Sequence, residues 1–168
     1  MSPRTDRSHS PERVGQQGQT RSPGSGSQRA VKSAGGPADR ANIQDYLDRF
    51  ATAMTTGDTK TMAQLWGVPA FVIGQNEARV VQSEGEVEEF FAGAKEMYNQ
   101  RGIMDTRPEI VDLDWIGPDL VIATVRWPYL DQNEKEVGEE TSSYTLLRGE
   151  DGGFKLRAIT MRGGTNEL

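Results

Sequence analysis

Val125, Trp127 and Tyr129 alternate along the chain, so an extended segment turns all three side chains to one face. An aromatic face with few polar groups receives a small, flat, apolar molecule by burying its rings. The same alternation also suits a strand that only fills a core. Asp112 and Asp114 share a face by the same rule. Two neighbouring carboxylates can separate their proton affinities for acid–base work, but an acidic pair two residues apart is also the ordinary wet face of a half-exposed sheet. Arg126, Arg157 and Arg162 are the cations able to grip a ligand carboxylate in bidentate fashion. Arg126 must point away from Trp127, so if the tryptophan faces an interior the arginine faces out. Glu84, Glu86, Glu88 and Glu89 gather where a helix should begin, and there the helix dipole favours negative charge, which makes them capping groups.

Missing residue types narrow the chemistry further. There is no cysteine and one histidine, His9. Disulfide frameworks, thiol nucleophiles, zinc fingers and iron–sulfur clusters are thereby excluded, as is any site that needs two imidazoles. No Ser/His/Asp set can form in a domain lacking His. There is no Asp-x-Asp-x-Asp-Gly calcium loop and no Gly-rich phosphate loop. No cofactor and no metal are expected.

The chain has 168 residues and a net charge of −6, but the charge divides near residue 40. Residues 1–40 carry +4, contain no aromatic residue, Leu or Ile, and are rich in Ser, Gly, Gln and Pro; residues 41–168 carry −10. A stretch like the first cannot bury enough apolar surface to offset about 1–2 kcal/mol of backbone entropy per residue, so a disordered basic tail is expected over 1–40 and a single folded domain over 41–168. His9 belongs to that tail. The acidic domain would repel a phosphate backbone, which argues against nucleic acid as its ligand. No run approaches the ~18 apolar residues of a membrane span, so the expectation is a soluble, cytoplasmic protein without membrane contact.

Within the domain, Ile43, Tyr46, Leu47, Phe50 and Met54 form one apolar helical stripe. Asp39 stands where an N-cap would and Gly57 where the helix should stop. Asp58 can cap a second, short helix carrying Met62, Leu65 and Trp66, which Pro69 ends. Ala70–Gly74 reads as a buried strand, followed by a turn and Ala78–Val81. Ser83 and Glu86 have capping-box spacing, opening a long helix to about Gln100 with Val87, Phe90, Phe91, Ala94, Met97 and Tyr98 on one side. Four strands follow, over about 107–115, 120–129, 140–147 and 154–161, with turns at Gly117-Pro118, Asp131–Gly138 and Asp151–Gly153. Short links imply antiparallel pairing. The class is α+β: a strongly curved mixed or antiparallel sheet of about six strands wrapped around three helices, a cystatin-like cone.

The run Tyr46-Leu-Asp-Arg-Phe50-x3-Met54-x2-Gly57-Asp58-x3-Met62-x2-Leu65-Trp66 resembles the opening of nuclear transport factor 2-like domains. That superfamily includes ketosteroid isomerases and SnoaL-like polyketide cyclases. The Phe90-Phe91 helix and the hairpin at Gly152-Gly153 fit the same pattern, which covers about residues 41–162. The resemblance implies a cone with an internal pocket, and commonly a homodimer. It also permits a test of catalysis, position by position. An ungapped match puts Phe50 where the isomerases keep a tyrosine, Gly74 where they keep the general-base aspartate, and Ser142 or Ser143 where they keep a protonated aspartate. Proton abstraction needs a base near the C–H and a donor for the oxyanion, and both positions are empty. Cyclase and dehydratase relatives use His with Asp, which this domain lacks, and the Arg-x-Asp of epoxide hydrolases is absent from Arg126–Asp131.

The same match turns Val125, Trp127 and Tyr129 toward the cone interior, with Phe50, Val72 and Tyr144 as neighbours; Gly74 and Ser142 complete the candidate pocket. The expected function is binding of a small apolar or aromatic ligand without acid–base catalysis, and no catalytic residue is assigned. Two alternatives stand beside it. One is an enzyme of the same fold working through Tyr98, Tyr129, Tyr144 or an inward carboxylate. The other is a protein-interaction module acting through the sheet face or the basic tail.

Overall fold

A computed structural model describes residues 35–162; the expected basic tail, up to residue 34, and the terminal Gly163-Gly164 segment lie outside the described residues. The first helix, α1, spans Pro37–Thr56. Pro37 sits at its first position, where a missing N–H costs nothing because helix-terminal amides lack partners anyway. It stops at Gly57, whose φ of 74° is left-handed and strained for any residue with a Cβ. Asp39 is therefore not the N-cap. It lies in the first turn, 7% exposed, and pairs with Arg148 instead. The helix also takes in residues 37–40, which the sequence reading placed in the tail.

Helix α2 (Thr59–Leu65) is capped as expected by Asp58, which accepts from the Thr61 amide at 3.1 Å and the Thr61 hydroxyl at 2.7 Å. Strand β1 (Trp66–Ile73) begins directly after it, so Pro69 lies within the strand, at the register shift between Trp66 and Phe71, rather than ending a helix. Strand β2 (Ala78–Val81) pairs back antiparallel. The Ser83 hydroxyl caps the next helix by accepting from the Glu86 amide, while Glu86 accepts from the amide of Gln82, one residue before the cap. The long helix expected here is two: α3 (Glu84–Phe91) and α4 (Ala94–Gln100), broken at Ala92-Gly93.

The remaining strands are β3 (Asp105–Thr106), β4 (Glu109–Trp115), β5 (Leu120–Leu130), β6 (Glu136–Arg148) and β7 (Phe154–Met161). The strand expected over 107–115 begins at Glu109, and the short β3 just before it, which was not expected, pairs with the same neighbour, β5. The turn expected over 131–138 is shorter, since β6 begins at Glu136. The sheet is seven-stranded and curled, in the order β2-β1-β7-β6-β5-β3 with β4 also on β5. The β1–β7 pair is parallel and the others are antiparallel.

Ile43, Leu47 and Phe50 of α1 pack against Val121, Ala123 and Val125 of β5, together with Leu146, Leu156 and Trp66, in one buried cluster. This is the mixed α+β cone the sequence implied. Arg148 ties the end of β6 to α1. Its guanidinium lies 4.8 Å from the Phe154 ring centroid, bonds Asp39 of α1 at 2.9 Å, and reaches Asp119 at 3.4 Å. Among the described residues, no helix is long and apolar enough to cross a membrane.

Candidate functional site

Alternation along β5 and β6 decides what enters the cone. Trp127 pairs with Glu140, Val125 with Ser142 and Ala123 with Tyr144, so these six share one face of the sheet. Phe50 comes down from α1 to meet that face. Its ring centroid lies 5.7 Å from Trp127, 5.8 Å from Tyr144 and 6.0 Å from Phe91, the last two edge-to-face, which suits the ring quadrupoles. Trp127 and Tyr144 themselves stand 5.8 Å apart.

These rings do not close the cone. They form the floor of a cavity of about 440 Å³, within the usual size of small-ligand sites. The other wall is α3 and α4, which contribute Phe90, Phe91, Ala94, Met97 and Tyr98. Val87 at the start of the stripe is sealed in the core, whereas from Phe90 on the stripe serves as a cavity wall, and Met97 remains 51% exposed.

Of the eight pocket candidates named from the sequence, Phe50, Trp127, Tyr129 and Tyr144 line this cavity. The other four candidates do not reach it. Val72 and Val125 share the inward alternation but sit deeper, buried in the core cluster. Gly74 follows the end of β1, where its amide donates to the Glu77 carbonyl at 2.8 Å in the turn to β2. Ser142 is fully buried and supports a neighbour instead, donating to Glu140 Oε1 at 3.0 Å.

That neighbour is a polar cavity residue that the sequence reading missed. Glu140 lines the cavity and accepts the Tyr129 hydroxyl on Oε2 at 2.6 Å. Its signal was legible: it stands two residues before Ser142 and four before Tyr144, hence on their face. Gly138 lets the tyrosine lie close, because a Cβ there would stand a tight 3.3 Å from Tyr129 Cδ2. Tyr129 also packs on Tyr98, 5.9 Å between centroids, and the Arg101 guanidinium lies 5.9 Å from the Tyr129 ring.

All three cavity tyrosines are held in their neutral form. Burial pushes the Tyr144 hydroxyl well above the usual phenol range, and the Glu140 charge pushes it further. Burial likewise raises Tyr129, followed by its hydrogen bond to Glu140, and burial and then Glu140 raise Tyr98. The Trp127 indole N–H is buried and approaches the Tyr144 hydroxyl, short of a well-formed hydrogen bond.

The remaining candidates from the sequence lie elsewhere. Arg126 points away from Trp127, into a cluster with Glu109, Glu136 and Glu139. Arg157 donates to the Pro69 carbonyl at 3.2 Å, and Arg162 to the Ser143 hydroxyl at 2.8 Å. Asp112 and Asp114 are exposed on the wet face of β4.

Residues 39–164 match the family described as NTF2-like protein (DUF6841). The chain belongs to that NTF2-like family. Solved structures share its fold at low identity. A protein of unknown function with a cystatin-like fold from Nostoc punctiforme is similar with a TM-score of 0.59 at 11% identity, over 79% of this chain and 96% of that one. An NTF-2 like protein of unknown function from Silicibacter pomeroyi gives 0.55 at 16%, over 74% and 95%. A ketosteroid isomerase-like protein from Erwinia carotovora atroseptica gives 0.53 at 12%, over 76% and 99%. No curated protein matches the sequence. For this NTF2-like chain the comparisons establish the fold, and its function must be argued from the site.

Proposed function

We propose that this NTF2-like domain binds a small, flat, largely apolar molecule in the cavity between its sheet and the α3–α4 wall, without the acid–base groups of ketosteroid isomerases. One observation carries the reading: the Phe50, Trp127 and Tyr144 rings pack against one another yet leave about 440 Å³ open beside them. A cone built only for stability would fill that space, because unfilled volume forfeits dispersion contacts. Of the three tryptophans, Trp127 alone lines the cavity, which gives the test a built-in reporter. A neutral probe such as naphthylmethanol should quench tryptophan fluorescence saturably. The quenching and the binding should both be lost in Trp127→Ala, and a variant that still binds the probe at wild-type affinity refutes the assignment. Mass spectrometry of gently purified protein should also reveal a retained small molecule.

A second reading is favoured by Glu140, a carboxylate bordering an apolar cavity beside neutral tyrosine hydroxyls. Such a pair could remove a proton from a C–H-acidic ketone and hydrogen-bond the enolate oxygen. Solvent deuterium exchange into tetralone, fast with the wild-type chain and absent with Glu140→Gln, would support an enzyme. Exchange at the background rate leaves binding as the function.

A further inference from the structure

Glu140 is the one carboxylate on the cavity wall, and among the described residues no Lys or Arg lines that wall. Its hydrogen-bond partners are two hydroxyls, Tyr129 at 2.6 Å and Ser142 at 3.0 Å. A carboxylate offers about four lone-pair sites, so these two donors leave acceptor capacity over. Neither donor brings a positive charge. The surrounding wall is aromatic, with Phe50, Tyr98, Trp127, Tyr129 and Tyr144 all present. Ring faces are negative in their quadrupole and attract a cation that has left water. A negative group set among rings therefore disfavours an anionic guest, gives a neutral hydroxyl an ordinary hydrogen bond, and gives an ammonium a charge-assisted one.

From this we infer that the cavity selects an organic ammonium: a flat ring system carrying a protonated primary amine, its rings against Phe50, Trp127 and Tyr144 and its N⁺–H groups received by Glu140. The inference rests on the proposed ligand-binding role of this same cavity and adds the chemical class of the ligand. Tyr129 and Ser142 act as positioning residues. Their hydroxyls fix the two carboxylate oxygens, so that little side-chain freedom is lost when the amine arrives.

The test uses the full chain and three probes with the same ring isomer: naphthylmethylamine, protonated at neutral pH; naphthylmethanol, its neutral isostere; and naphthoate. Titration calorimetry should rank the amine at least about tenfold tighter than the alcohol, the size of a charge-assisted hydrogen bond, with naphthoate weakest. Glu140→Gln should erase the amine's advantage and bring the two probes to within about twofold of each other; an amine that keeps its tenfold lead in the variant overturns the role given to Glu140. If the alcohol binds and the amine binds no better, the charge inference is overturned and the apolar-pocket reading survives. If none of the three binds, both fall together. Should Glu140→Gln fail to fold, the order of the three probes on the wild-type chain still decides.

Discussion

The Tyr129 hydroxyl donates to Glu140 Oε2 at 2.6 Å across the β5–β6 pair, although the two residues are not directly opposite. Tyr129 stands opposite Gly138, and Glu140 opposite Trp127, so the bond is a diagonal that the bare Gly138 leaves room for. Tyr129→Phe removes the donor without emptying the site. Because Glu140 is only half-buried, water can take the vacated lone pair, and stability should fall by no more than about 1 kcal/mol. Denaturant midpoints measure this. A loss of several kcal/mol would mean that the pair is structural rather than a tuned part of the cavity.

Arg148 and Asp39 tie the last residue of β6 to the first turn of α1, 109 residues apart in sequence. Asp39 is nearly buried, so removing its partner strands a charge. Arg148→Met should cost about 2–3 kcal/mol, somewhat below the range for a fully buried pair because the guanidinium keeps some solvent contact. Adding Asp39→Asn should recover part of that loss by removing the stranded charge. Additive losses in the double variant would show that the pair is not coupled.

Alkaline pH should unfold the domain earlier than its acidic composition suggests. Burial raises the hydroxyls of Tyr46, Tyr129 and Tyr144, with Glu140 adding to the last two. Groups with raised affinity for a proton bind it more tightly folded than unfolded. Their contribution is fully present below the unfolded phenol value near 10 and is lost as pH climbs above it toward the folded values. A stability–pH curve should hold level up to about 10 and then fall, with tyrosinate absorbance rising together with unfolding. Tyrosines that ionise near 10 in a still-folded chain would contradict the effect of their burial.

On the sheet face opposite Val72, Phe71 is 48% exposed and its cross-strand partner Val80 44%, with Ile73 beside them. The edge position of β2 leaves that face open to a second copy. If the homodimer implied by the family resemblance forms here, sedimentation should give about twice the 18.5 kDa of one chain. The pair Phe71→Ser and Val80→Ser should halve that mass. A monomer at high micromolar concentration for the wild-type chain removes the expectation.

Much of the architecture is written locally. The α1 stripe from Ile43 to Phe50, the Asp58 cap, the Ser83 cap and the alternation that sends Trp127 in and Arg126 out each follow from spacings of a few residues, because helix and strand periods are fixed by backbone geometry. So is the chemistry that cannot occur in a domain without Cys or His. Depth is not local. Val125 and Trp127 share one face, yet the first is sealed in the core and the second borders the cavity. What separates them is how far along β5 the Phe50 ring and the α3–α4 wall cover the strand. The same holds for Glu140, an unremarkable acidic residue until β6 is set beside β5 in a register that brings it to Tyr129. Alternation in the sequence determined which side of the sheet each residue faces. Only the curl of the sheet and the placing of the broken helix against it, products of contacts between residues far apart in the chain, decided which of those faces meet solvent, core or an open pocket.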